Sequence, residues 1–406
     1  MDARSSRTSA HRDWYVWRDP GPDGGPPNDL VAQFGGPAWT LDERTRQYWY
    51  HSFLPQQPDL DWRNPDVRTA MLDHLRFWFE RGVDGFRIDV LWMIAKDDWP
   101  WRDGSVTDAP HGFGGDPRNA LEHGDGPDME ARLAELRAAA DAFGDRVLVG
   151  EVYMEPARLV RYYGAEGRGT HLPFNFALVT LPWDAGAVSR AVALYEAALP
   201  LFAWPNWVLG NHDQPRVASR IGSAQARVAA MLLLTLRGTP TLYYGDELGL
   251  PDAAVPPERI VDVAGRDPER SPMPWSRGGP HAGFSAAEPW LPMVDDAGAR
   301  SVEAQRDDPR STLTLHKRLL ELRRAEPALH AGTWSAVDAP PGVVAFERAT
   351  DVARFLVLLN LASTAVTAPA AGAWTIALST ELERDGERVS GTVDLRADEG
   401  LVLRAG

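Results

Sequence analysis

The chain has 406 residues, 44% of them hydrophobic and 24% charged, with a formal charge of −15. That length allows two to three domains with buried cores, and the acidic balance argues against nucleic acid or an anionic membrane as partner, since both attract Lys/Arg-rich faces. There is no cysteine, which excludes disulfides, zinc–thiolate sites, iron–sulfur clusters and cysteine nucleophiles.

The first residues, Met-Asp-Ala-Arg-Ser-Ser-Arg, contain no apolar stretch, so no secretory signal is expected. Residues 1–63 are rich in Trp, Pro and Gly, with a turn cluster at 21–27 and room for a short hairpin between Trp39 and Phe53. From Asn64-Pro65 the spacing of Val67, Met71, Leu75, Trp78 and Phe79 predicts a helix that stops at Gly82. A strand over Val83–Val90 follows. The same step then repeats: helix 128–143 and strand 146–152, a short helix 156–163 and a strand 171–178, helix 187–199 and strand 206–212, helix 223–237 and strand 240–244. A long connection leads to a helix over 311–324. Strands alternating with helices point to a parallel sheet with crossover helices.

After about residue 331 the runs shorten and alternate, as in 343–346, 355–359, 374–378 and 400–403, which predicts a small antiparallel β domain. The uncharged run 355–380 is broken by Asn360, Ser363, Pro369 and Gly372, so it reads as strands and turns, not as a membrane span. A cytoplasmic protein that engages no membrane is expected. Three segments result: a loop-rich region over 1–63, an α/β region over 64–330 and a C-terminal β-sandwich over 331–406. Five βα units are present where a closed (β/α)8 barrel has eight.

Acids stand at the carboxyl ends of three of these strands: Arg87-Ile88-Asp89, Gly150-Glu151 and Asn211-His212-Asp213, each acid 62 positions after the last. In a parallel barrel such positions share one mouth. Carboxylates placed together cannot all ionise freely, so one is held protonated while another stays charged. This is the acid-and-nucleophile arrangement of glycoside hydrolysis.

These residues carry a resemblance to the α-amylase family of glycoside hydrolases (family 13), closest to its α-glucosidase and oligo-1,6-glucosidase branch. Residues 85–90 (GFRIDV) resemble the family's nucleophile strand, 150–152 (GEV) its acid/base strand and 210–216 (GNHDQPR) its third-carboxylate strand. Residues 57–62 (QPDLDW) resemble the segment QPDLN, with Asp61 in place of Asn, and 239–247 (TPTLYYGDE) resemble the eighth barrel strand. The resemblance implies a (β/α)8 TIM barrel in which Asp89 is the nucleophile, Glu151 the acid/base and Asp213 the third acid. It implies substrate-binding roles for Arg87, which also keeps Asp89 ionised, for His212, and for Arg216 near the cleavage point. Val90, after the nucleophile, resembles the choice of α-1,6-acting members. Asp59, Asp246 and Glu247 are expected to be structural, and Trp14, Trp17, Trp39, Trp49 and Trp62 to pack in the core.

The chain departs from the family in one respect. The strand motif D-x-x-x-N-H is absent, as are the first two barrel strands and the loop that holds a structural Ca²⁺ or Mg²⁺ in some relatives. The expectation is a barrel lacking its first three strands, with residues 1–63 as the tail of the inserted B domain, strand 83–90 left as an apolar edge, and stability and turnover reduced accordingly. No cofactor and no metal ligands are expected. The expected substrate is a small oligosaccharide or disaccharide, linked α-1,6 or α-1,4. A transglycosylase of the trehalose synthase or amylosucrase type would use the same acids, whereas a non-catalytic transporter-associated relative would lack them and carry a membrane helix. No G-x-S-x-G, G-x-G-x-x-G or close histidine pair supports a serine hydrolase, a dinucleotide enzyme or a zinc hydrolase.

Overall fold

The computed structural model describes residues 6–106 and 115–406. The chain forms two compact units, Met1–Phe174 with Pro200–Ala203 and Asn175–Leu199 with Trp204–Gly406.

In the first unit, β1 (Trp17–Arg18), β2 (Trp39–Asp42) and β3 (Gln47–Tyr50) form an antiparallel sheet in the order β1-β3-β2. The expected hairpin is β2–β3. Its sheet closes over a small core of Val16, Leu30, Ala38, Trp39 and Tyr50. The helix Pro65–Phe79 begins where the sequence predicts: Asn64 accepts the N–H of Asp66 at 2.8 Å, Pro65 occupies the first turn, and Gly82 takes φ +89 beyond the end. Only Val67 and Phe79 of this helix are buried, while Phe77 and Trp78 are 43% and 48% exposed.

Next comes a parallel sheet ordered β4-β5-β6: β4 (Gly85–Ile88), β5 (Val147–Gly150) and β6 (Leu172–Pro173). Gly85 is required by the pairing, because a Cβ there would lie 2.3 Å from the Val147 carbonyl oxygen. Among the described residues β4 pairs only with β5, so it is the sheet's edge, as expected. The helix Met129–Asp141 packs against Pro65–Phe79 and β5.

In the second unit the helix Ala185–Ala198, capped by Asp184, precedes β7 (Asn206–Val208), and the helix Ser223–Thr235 precedes β8 (Thr239–Thr241), which runs parallel to β7. Ten of the thirteen residues in Ser223–Thr235 are buried, the signature of a helix enclosed on most sides. A long connection then reaches the helix Thr312–Ala325, whose start is capped by Ser311.

The C-terminal strands are β9 (Thr333–Ala336), β10 (Val343–Ala349), β11 (Arg354–Asn360), β12 (Val366–Ser379), β13 (Arg388–Leu395) and β14 (Gly400–Ala405). They are hydrogen-bonded in the antiparallel order β13-β12-β14-β11-β10-β9. Register shifts in β12, between Ala370 and Ala373 and between Ile376 and Leu378, interrupt its ladders; bulges of this kind bend and twist a strand. One face holds Ala345, Leu356, Leu358, Trp374, Ile376 and Leu403. Strands of the same sheet also contact the helices Ala185–Ala198, Ser223–Thr235 and Pro327–His330. Arg348 on β10 is fully buried and donates to the carbonyls of Thr235 (2.6 Å), Gly332 (3.0 Å) and Thr333 (3.0 Å). Burial pushes its guanidinium down to about 9. These bonds tie β10 to the end of the helix Ser223–Thr235 and to the start of β9.

Four expected strands are shorter than their apolar runs, and 146–152 ends at Gly150. Strand 83–90 ends at Ile88 because Val90 turns into the left-handed region at φ +44, and strands 206–212 and 240–244 end at Val208 and Thr241. Strand 171–178 is replaced by β6 and the helix Ala177–Thr180: the Asn175 side chain accepts the Ala177 N–H at 2.9 Å and turns the chain. Among the described residues no helix is long and apolar enough to cross a membrane.

Candidate active site

The first unit brings Arg87, Asp89 and Glu151 together. β4 and β5 pair in register Ile88↔Gly150, so the residues that follow, Asp89 and Glu151, leave the sheet side by side. The backbone extends that pairing: Glu151 N–H donates to Ile88 O at 2.9 Å and Leu91 N–H donates to Glu151 O at 3.0 Å. Arg87 then spans both acids, with Nη1 2.5 Å from Asp89 Oδ1 and Nη2 2.6 Å from Glu151 Oε2. The left-handed turn at Val90 directs its N–H to the same Glu151 Oε2, at 3.1 Å.

The two carboxyls are not equivalent. The Asp89 side chain is 70% exposed, whereas that of Glu151 is 6% exposed. Burial, with the hydrogen bond and charge of Asp89, pushes Glu151 up to about 7 against the opposing pull of Val90 N–H and Arg87. One guanidinium therefore serves two carboxyls, and the buried one keeps its proton to near neutrality. This is a proton donor beside an exposed carboxylate.

The second unit builds a different cluster on the turn after β7. Asn211 Oδ1 accepts the Asp213 N–H at 3.1 Å, shaping the turn. Asp213 Oδ1 receives Arg266 Nη1 at 2.6 Å and lies 3.4 Å from Arg270 Nη2, while Oδ2 lies 3.4 Å from His212 Nε2. Arg270 Nε also donates to His212 O at 2.9 Å. Sequence reasoning missed Arg266 and Arg270. They lie in an irregular connection where hydrophobic periodicity carries no signal, and nothing in their spacing singles them out.

Arg216, expected near the cleavage point, is enclosed in this structure. It is 0% exposed, with Nη1 donating to Tyr244 O at 2.6 Å and its guanidinium carbon 4.9 and 4.7 Å from the rings of Tyr243 and Tyr244. The motif gave its place in the chain, and burial is a tertiary property. Asp246 is pushed up to about 7 by its own burial, with Arg216 opposing and Glu247 adding to the rise, and Glu247 accepts the Gly245 N–H at 2.7 Å. Both acids thus sit in a strand-end network. Asp59 is structural: it accepts from Ser52 N–H (2.7 Å) and Ser52 Oγ (2.6 Å) and pairs with buried Lys96 at 2.9 Å. Trp39 and Trp49 are buried, and Trp14, Trp17 and Trp62 are half-buried. Among the described residues no group of three or more His, Asp or Glu side chains is arranged to hold a metal ion.

Known proteins resemble this chain over most of its length. Residues 1–332 match the model of the alpha amylase catalytic domain. The chain is 35% identical over 392 residues to a probable α-glucosidase of Rhizobium meliloti (strain 1021), covering 90% of this chain and 71% of that protein. It is 28% identical over 413 residues to an oligo-1,6-glucosidase of Parageobacillus thermoglucosidasius, with 89% and 71% covered. Among solved structures it is similar to an α-glucosyl transfer enzyme (TM-score 0.89, 33% identity, 100% of this chain and 79% of that one). It is also similar to the trehalulose synthase of Pseudomonas mesoacidophila MX-45 (TM-score 0.88, 25% identity, 99% and 80%). The family model spans most of the chain and a relative is 35% identical over 71% of its own length, so the chain belongs to the α-amylase family.

Proposed function

We propose that this chain is a retaining α-glucosidase that releases glucose from short α-glucans or disaccharides. One observation carries the reading: Asp89 and Glu151 share a single guanidinium, and Glu151 is the one pushed up to about 7. Asp89, exposed and held against Arg87, attacks the anomeric carbon. As the glycosidic C–O bond breaks, Glu151 passes its proton to the leaving oxygen. The Glu151 carboxylate then takes a proton from water, whose oxygen displaces Asp89 from the anomeric carbon and restores both groups. Two inversions give net retention. Arg87 bridges the two acids at 2.5 and 2.6 Å, which keeps the carboxyls close together, and a close pair accompanies retention whereas an inverting pair stands far enough apart to hold a water. Asp213 and His212 bind sugar hydroxyls in this reading, and no cofactor enters any step.

The relatives named oligo-1,6-glucosidase, together with Val90 after the nucleophile, favour isomaltose-type α-1,6 linkages. The test is hydrolysis of an aryl α-glucoside by the 406-residue chain, with the first-formed glucose anomer read by proton NMR. The α anomer is expected, and the β anomer contradicts the assignment. The similarity to an α-glucosyl transfer enzyme favours a second reading, in which the glucosyl unit passes to another sugar. Transfer products in place of free glucose would establish that reading.

A further inference from the structure

The connection between β8 and the helix Thr312–Ala325 carries an acid that no motif pointed to. Asp262 takes one whole edge of Arg266, with Nε donating to Oδ2 at 2.8 Å and Nη2 to Oδ1 at 2.6 Å. The same Oδ2 accepts the backbone N–H groups of Ala264 and Arg266, both at 3.0 Å. Oδ1 also lies 3.5 Å from Arg270 Nη1. Asp267 ties the segment to itself by accepting the N–H of Val261 (2.7 Å) and of Asp262 (3.0 Å), and Gly265 supplies the left-handed step at φ +71. The Asp262 side chain is only 11% exposed. This bracket is fixed before any substrate arrives.

Its consequence falls on Asp213. A guanidinium beside a carboxylate prefers the two-point, parallel arrangement that covers both oxygens. Two arginines reach Asp213, and unrestrained they would occupy it entirely. Because Asp262 already holds the Nε/Nη2 edge of Arg266, only Nη1 remains for Asp213. Both arginines meet it at Oδ1, while Oδ2 is turned toward His212.

We infer that Asp262 is a positioning residue: by holding one edge of Arg266 it limits that arginine to a single-point contact with Asp213 Oδ1 and reserves Oδ2 for a sugar hydroxyl. The inference rests on the glucosidase reading of Asp213.

The test compares Asp262→Asn, Asp262→Glu, Arg266→Met and the double variant D262N/R266M in the 406-residue chain. Turnover of an aryl α-glucoside and calorimetric binding of a glucose-shaped iminosugar, 1-deoxynojirimycin, are the readouts. Misplacing a binding group by about 1 Å costs on the order of 100-fold, so D262N should lower kcat by about ten- to a hundredfold. KM should change far less, and the iminosugar should bind about tenfold more weakly. Asp262→Glu should recover most of the loss, and the double variant should be no worse than Arg266→Met alone, because coupled residues are not additive. If D262N keeps parental kcat and iminosugar affinity, the inference is overturned. It is equally overturned if the two losses add, or if the activity loss merely follows a fall in thermal stability. A parent chain that neither hydrolyses the glucoside nor binds the iminosugar overturns the glucosidase reading itself, and the inference with it.

Discussion

The two acid clusters differ in how many cations they place around each carboxylate. In the first unit Arg87 serves both Asp89 and Glu151. In the second, Arg266 and Arg270 together serve Asp213 and Asp262. Burial, with Asp89 adding to it, keeps the proton on Glu151 against the pull of Arg87. Arg266, bound to Asp262, holds that carboxyl well below its ordinary range. The first arrangement suits a group that must give up a proton during the reaction, and the second suits groups that hold a fixed charge and a fixed direction. In these two clusters the acid that gives a proton is the buried one, and the acids that hold a direction are the ones bracketed by two arginines.

The strongest way to break this comparison is to remove the exposed partner. Asp89→Ala eliminates the nucleophile, and hydrolysis of an aryl α-glucoside should fall on the order of 10⁴-fold or more. A variant that retains even a hundredth of parental kcat would show that Asp89 is not the attacking group. Glu151→Gln should cost about 10²- to 10⁴-fold on substrates with a poor leaving group. Substrates whose leaving group needs no proton should lose much less, and equal losses on both would remove Glu151 from the acid role.

The pH profile sharpens the same point. Glu151 must be protonated for the first step, so kcat/KM should decline as pH rises through about 7. Arg87 pulls Glu151 downward, so Arg87→Met should move that limb upward in pH as well as lower the rate. A limb that stays in place would mean that Arg87 does not set the proton on Glu151. The same shift affects folding. The folded value lies above the ordinary 4.5, so the folded state binds the extra proton in between. The stability contribution is complete below about pH 4.5 and is lost as pH rises through about 7. The smallest expected effect concerns linkage: isomaltose should be hydrolysed a few-fold faster than maltose, and a reversed ratio measured on the two disaccharides would reject the part assigned to Val90.

Much of this architecture was legible in the sequence because it is local. The helix Pro65–Phe79 is announced by its cap, its proline and its apolar spacing, and Asp89, Glu151 and Asp213 stand out because each closes an apolar run. What escaped was set by tertiary structure. The left-handed turn at Val90 cuts β4 short, yet valine gives no hint of positive φ. Asn175 converts an apolar run into a turn and helix through its own side chain. Arg216 shares a motif with Asp213 yet lies fully enclosed, since order along the chain does not report depth. Asp262, Arg266 and Arg270 lie in an irregular connection, where contacts follow from a folded loop and no periodicity marks them in advance. The C-terminal strands include register shifts inside β12 that alternation of apolar residues cannot reveal.

In the proposed mechanism Asp89 carries the sugar and Glu151 carries the proton. Trapping the intermediate with a fluorinated α-glucosyl fluoride, which slows the second step, and locating the added mass by tryptic digestion and mass spectrometry distinguish the two roles. One glucosyl adduct is expected on the peptide 88–96, at Asp89. An adduct on Glu151 or Asp213, or steady turnover of the reagent with no adduct anywhere, would contradict it.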